Sequence, residues 1–136
     1  MRKLFYISIL FICSCSPFFL NTQGYEYLEM DLETAWKETA SFRYIHEDVN
    51  YWKSPIEFER DGGGDCEDFS VYLVYILGEE ASLVIIENHA IVKYRGLYIE
   101  PQKYGRYLEI QEKNILEIYD YYYVCSYSTI SGSKCL

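Results

Sequence analysis

Three observations predict an α+β domain: helical spacing of apolar residues confined to the first half of the chain, a switch to two-residue alternation near Ser82, and a hairpin signal at Arg95-Gly96 followed by a stop at Pro101. Residues 16 to about 30 have no clear period and read as a polar, aromatic tether. Asp31 then supplies an N-cap for a helix to about Ile45, with Leu32, Ala35, Trp36, Thr39 and Phe42 on one face. Ser54-Pro55-Ile56-Glu57 has a serine cap, proline at the first helical position and glutamate at the third. That pattern predicts a capping box and a short helix ending before Gly62-Gly63-Gly64. Next come Asp65-Cys66-Glu67-Asp68 and the run Phe69 to Leu77, apolar nearly all round, closed by Gly78. Acids at the front and glycine at the back favour a buried helix over a strand. Beyond Ser82 the expected strands are Leu83 to Glu87, Ala90 to Tyr94, Leu97 to Glu100, Tyr107 to Ile110 and Ile118 to Tyr127. The resulting order is helices first, then an antiparallel sheet.

The chain has 136 residues, half of them hydrophobic, with 8 Gly and 3 Pro, which is one domain with material for a core. A formal charge of −9 lacks the basic footprint that phosphate binding requires and argues against nucleic acid as a partner. Tyrosine is over-represented at 16 residues and provides half-polar surface that can line a cleft, or simply fill the fold.

The front of the chain reads as an address. Arg2-Lys3 precedes the apolar run Leu4 to Ile12, too short to cross a bilayer in helix, and Ile12-Cys13-Ser14-Cys15 resembles a bacterial lipobox with Cys15 as the lipidated residue. Residues 1–14 are then a signal peptide, 15–30 a tether and 31–136 one domain. Cleavage before Cys15 removes two basic residues and no acid, taking the charge from −9 to −11, so acyl chains rather than charge hold the protein at the membrane. Export permits disulfides, and Cys125 and Cys135 enclose a Ser/Thr/Gly-rich tail that a bridge would stabilise by up to about 2–3 kcal/mol. Cys66 is left over.

Cys66 opens a helix, where unpaired N–H groups and the helix dipole favour a thiolate and can meet an oxyanion. Asp65, Glu67 and Asp68 oppose the thiolate, so a histidine is required to pair with it and to return the proton. Of the two histidines, His46 lies between polar neighbours and reads as a solvated surface residue. His89 starts a hairpin strand. If Arg95-Gly96 is a two-residue loop, Tyr94 pairs with Leu97, Ile91 faces Glu100 and His89 faces Gln102. Glu100 is then the diagonal neighbour of His89 on the same face, its best orienting group, with Gln102 and Asn88 in reserve. A metal site from Asp65, Cys66, Asp68 and His89 lacks the paired spacings of zinc ligands, and no EF-hand pattern is present, so neither a metal nor a cofactor is expected. Trp52, Asp65 and Gln102 are expected along the substrate cleft.

The ordered set Gly64-Asp65-Cys66-Glu67-Asp68-Phe69-Ser70, then His89-Ala90 with alternating Val92 and Tyr94, then Tyr98-Ile99-Glu100-Pro101, resembles the transglutaminase-like superfamily of papain-fold thiol enzymes. The resemblance spans about residues 52 to 102 and includes Trp52-Lys53-Ser54-Pro55. It implies a papain-like core with the cysteine-bearing helix packed on an antiparallel sheet. It also implies Cys66 as nucleophile, His89 as acid/base and Glu100 at a position where the family has Asp. The activity implied is thiol-dependent acyl transfer on peptide or carboxamide bonds, hydrolytic rather than cross-linking, with a peptide or protein substrate. The alternative is a catalytically silent scaffold of the same fold at the cell envelope.

Overall fold

The computed structural model describes residues 30–48 and 51–130, with side chains to 127. Helix α1, Leu32–Ala40, starts where expected: Asp31 accepts from the Thr34 N–H, and Ala35, Trp36 and Thr39 are buried. It ends earlier than its apolar spacing predicts, because the chain turns at Ser41 into a two-residue strand, β1, Arg43–Tyr44. Helix α2, Pro55–Asp61, has both halves of the Ser54/Glu57 capping box and ends on Gly62 in the left-handed conformation. Strand β2, Gly63–Gly64, runs parallel to β1, with Arg43 beside Gly63 and Tyr44 beside Gly64. Only glycine fits at Gly63, whose φ is +144° and where a Cβ would lie 1.9 Å from the Arg43 carbonyl oxygen.

Helix α3, Cys66–Leu77, is the centre of the molecule, buried continuously from Asp68 to Leu77. It packs on α1 and α2 on one side and on the sheet on the other. That sheet contains β3 (Ala81–Ile86), β4 (His89–Tyr94), β5 (Leu97–Ile99), β6 (Tyr107–Leu108) and β7 (Ile115–Asp120). All neighbours are antiparallel, in the order β6-β5-β4-β3-β7. The core around α3 is formed by Trp36, Phe58, Phe69, Tyr72, Leu73, Leu83, Val92 and Ile99, each no more than 1% exposed. The fold is α+β, as the order of elements predicts.

The β4–β5 hairpin has the register derived from its loop. Tyr94 pairs with Leu97 and Val92 with Ile99, and Arg95 and Gly96 both have positive φ, as the tight turn that matches strand twist requires. The β3–β4 turn is equally tight, with Asn88 at φ +56° and Ile86 opposite His89. The expectation of one strand from Ile118 to Tyr127 is overturned. Strand β7 ends at Asp120, and Tyr121–Ile130 form helix α4. The Asp120 carboxylate accepts from the Tyr123 N–H and starts the helix, while Tyr121, Val124 and Cys125 turn one face inward. The high strand propensity of the tyrosines yields to that cap and to the i, i+3, i+4 burial.

Candidate active site

The turn that carries Cys66 is built around Asp68. Asp65 caps α3 by accepting from the N–H groups of Glu67 and Asp68, and the Asp68 carboxylate reaches back to accept from the Asp65 N–H at 3.1 Å. Its other oxygen accepts from the Lys53 N–H at 2.7 Å, tying the segment before α2 to the start of α3. Asp68 is fully buried, and burial pushes its carboxyl up to about 7 against the two backbone donors that favour its charged form. Gly64 leaves room for it: a Cβ there would stand 2.3 Å from Asp68 Oδ2. The Lys53 ammonium, also buried, donates to the Gly63 carbonyl at 3.2 Å and pairs with Glu47 at 2.5 Å and Asp61 at 3.5 Å. The glycine run, the acidic cap and the preceding Trp52-Lys53 are thus one interlocked unit that presents Cys66, a partly buried free thiol, at the first position of the helix.

His89 and Glu100 come from adjacent strands. His89 Nε2 lies 2.7 Å from Glu100 Oε2, and the imidazole lines the same cleft as the Cys66 thiol. The nearby thiol and then the carboxylate raise His89 to about 9, against a desolvation that would lower it. Glu100 is 6% exposed. Burial would raise its carboxyl, but the hydrogen bond and charge of His89, with the Gln102 N–H on the other oxygen, hold it below the ordinary glutamate value. The three residues expected to act together therefore meet in space, in the order thiol, imidazole, carboxylate.

The thiol faces a cleft of about 480 Å³ whose walls include Tyr44, Glu47, Asp65, Glu67, Ile85 and Asn88. Asp65 lies in this wall. Trp52 stands just behind it, donating its indole N–H to Glu67 Oε2 at 3.1 Å and packing on the rings of Tyr119 and Tyr127. Gln102 is not in the cleft and meets the site through its backbone N–H on Glu100. Asn88, a reserve partner for His89, occupies the β3–β4 turn at the cleft rim. His46 is exposed, as its polar neighbours predict, yet it stands at the cleft mouth, 3.6 Å from Asp48. Burial and the charge of Asp65 raise the Glu67 carboxyl, and the Trp52 N–H opposes them. The part that Asp68 and Lys53 play in framing this turn is what sequence reasoning missed. The available signal was an acid three residues after the Asp65 cap, the arrangement of a reciprocal capping box.

Cys125 is disulfide-bonded, and its expected partner, Cys135, lies outside the described residues, as does the expected lipidation residue Cys15. A second groove of about 600 Å³ runs along β5 and β6 between Leu97 and Tyr107 and includes none of Cys66, His89 and Glu100.

No family model and no curated protein matches the sequence. Solved structures do. Calcium-bound LapG of Legionella pneumophila is 22% identical, with a TM-score of 0.50 over 62% of this chain and 59% of that one. A second LapG structure is 21% identical, with a TM-score of 0.51 over 65% of this chain and 60% of that one. The chain thus spans about three-fifths of LapG's length. Of the acids around Cys66, Asp68 has both oxygens on backbone N–H groups, whereas Asp65 accepts through Oδ1 and Glu67 through Oε2. No group of three or more His, Cys, Asp or Glu among the described residues converges to hold a metal. The likeness is one of architecture, a cysteine-bearing helix against an antiparallel sheet, and it shows that this α+β domain has the transglutaminase-like fold.

Proposed function

We propose that the domain is a thiol-dependent acyl-transfer enzyme that hydrolyses peptide or carboxamide bonds. One observation carries this reading: the imidazole of His89 is hydrogen-bonded to a buried carboxylate and lines one cleft with the free thiol at the start of α3. The fold shared with LapG, a cysteine protease, supports a protein substrate.

His89, held by Glu100, keeps its proton through the neutral range, and a cation there favours the Cys66 thiolate. The thiolate sulfur attacks the carbonyl carbon of the scissile amide. The Cys66 N–H, which has no acceptor among the described residues, is the donor left for the oxyanion, since the Glu67 and Asp68 N–H groups are taken by Asp65. His89 gives its proton to the departing amine, leaving a thioester. Water, losing a proton to His89, then releases the acid and regenerates the thiol. The longer glutamate does the work of an aspartate by setting the imidazole's orientation and stabilising its charge.

We also place the protein at the cell envelope, exported and lipid-anchored through Cys15. The support is the leader's charge, apolar run and lipobox-like junction. No helix among the described residues is long and apolar enough to cross a membrane.

The test is alkylation of Cys66 over a pH series, with mass spectrometry locating the adduct, alongside peptide hydrolysis by wild type and Cys66→Ala. The expected result is rapid modification of Cys66 well below the pH of about 8.5 at which a free thiol ionises, and hydrolysis that disappears in the variant. Modification only above about pH 8, or hydrolysis that survives in Cys66→Ala, overturns the reading.

A further inference from the structure

We propose that Trp36 is a positioning residue for this site: its indole N–H, reaching across from α1, holds the Glu100 main chain so that the carboxylate stays on His89. The inference rests on the function proposed above and assigns Trp36 no contact with substrate.

Glu100 stands in an awkward place. The β4–β5 pairing ends at Val92 and Ile99, and the next residue, Pro101, has no N–H with which to continue the ladder. The backbone at Glu100 is therefore not held by β4, although its side chain must meet a residue of β4. Its N–H donates to the Arg106 carbonyl at 3.0 Å, and its own carbonyl accepts from the Lys103 N–H at 3.2 Å. Both bonds are internal to the turn that leads to β6 and would move with it. The hydrogen bond that ties the Glu100 main chain to an element outside this turn is from the Trp36 Nε1–H, 2.7 Å from the Glu100 carbonyl oxygen and 64 residues away in the chain.

Trp36 can serve as an anchor because it is packed on all sides. It is 1% exposed, lies in the face of α1 that packs on α3, and has the rings of Tyr104 and Tyr107 edge-on at 5.4 and 5.2 Å. Both tyrosines belong to the segment after Glu100, so the indole clasps that segment by its rings and by its N–H together. A buried indole N–H without an acceptor is costly, so the bond restrains both partners. The connection runs from α1 through the Glu100 backbone and carboxylate to His89, which shares its cleft with Cys66.

Trp36→Phe keeps most of the ring and deletes the donor. In a His46→Gln background, which leaves one histidine signal, we expect the NMR titration midpoint of His89 to fall by about one pH unit toward the ordinary histidine range. Alkylation of Cys66 at pH 6.5 should slow by about fivefold or more. Phe58→Leu is the control for packing loss. Phe58 is fully buried in the same core and packs on Phe42, Phe69 and Tyr72, with no bond to Glu100. It should lower stability and leave both readouts where they are. An unchanged His89 titration in folded Trp36→Phe, or an equal shift in Phe58→Leu, overturns the proposal. If Trp36→Phe does not fold, the Trp36 indole resonance is followed instead in Glu100→Gln, where a displaced signal supports the tie and an unmoved one overturns it. Wild-type Cys66 that reacts only as an ordinary thiol brings down the functional reading and this inference together. A reactive wild-type Cys66 with an indifferent Trp36→Phe brings down the inference alone.

Discussion

Replacing Gly64 by alanine puts a methyl group into space that Asp68 already fills. The new Cβ would lie 2.3 Å from Asp68 Oδ2 and 2.6 Å from Asp68 Cβ, and because Gly64 does not have a positive φ the effect is steric and not a backbone strain. To reach even 3.0 Å the carboxylate must retreat by about 0.7 Å, which carries the Asp65 N–H bond from 3.1 Å out of ordinary range and strains the one to Lys53. Asp68 is fully enclosed and has no alternative partner in reach of solvent. At pH 8, where the Asp68 carboxyl is charged, bonds to it from backbone N–H groups contribute about 1.5–3 kcal/mol each, so losing one and weakening the other predicts a loss of about 2–4 kcal/mol. Urea denaturation reads this as a lower midpoint at unchanged slope. A double-mutant cycle isolates the cause. Asp68→Ala is itself destabilising, since it leaves two N–H groups unpaired, but Gly64→Ala added to it meets empty space and should cost less than about 0.5 kcal/mol more. A loss below about 1 kcal/mol in the single Gly64→Ala variant, or strictly additive losses in the pair, refutes the reasoning.

Three further outcomes are expected. Glu100→Gln should lower the His89 titration from about 9 without bringing it to the ordinary histidine value, because the nearby thiol, the larger influence, remains; an unmoved titration contradicts the pairing. Asp68 holds its proton in the folded state up to about 7, whereas an unfolded aspartate releases it near 3.8. The folded state therefore binds more protons in that window, and this contribution to stability falls as pH rises from 3.8 to 7. Asp68→Asn should reduce the difference between urea midpoints at pH 5 and pH 8, and an unchanged difference speaks against a buried titrating carboxyl. Peptide mapping under non-reducing conditions should find Cys125 joined to Cys135 and Cys66 as a free thiol, and a bridge that includes Cys66 removes the candidate nucleophile.

What could be read from the sequence was local or set by register. The Ser54 capping box, the start of α3 at the Asp65 cap and the two-residue Arg95-Gly96 loop each depend on residues within a few positions of one another. The loop length placed Glu100 beside His89 even though strand pairing stops one residue short of it. The illegible features are those in which distant segments meet. Parallel pairing of Arg43–Tyr44 with Gly63–Gly64 is too short to leave a periodic signal, and it ends α1 early and brings His46 to the cleft mouth. The bond from Asp68 to the Lys53 N–H joins residues 15 positions apart, and the bond from Trp36 to Glu100 joins residues 64 apart. Helix α4 was hidden for another reason: a tyrosine-rich run satisfies strand propensity as well as helix packing, and Asp120 together with the face containing Val124 decides between them.

The chain has two tryptophans, one bonded to Glu100 and the other to Glu67, and their surroundings differ in a useful way. Trp36 is sealed in the core, whereas Trp52 is partly exposed and bonded to Glu67, the residue that follows Cys66. A molecule that enters the cleft and disturbs Glu67 alters the polarity around the Trp52 indole directly, whereas Trp36 is reached only through Glu100. The protein thus contains its own optical reporter of occupancy, and emission recorded during thiol modification would follow the filling of the cleft in real time without a label.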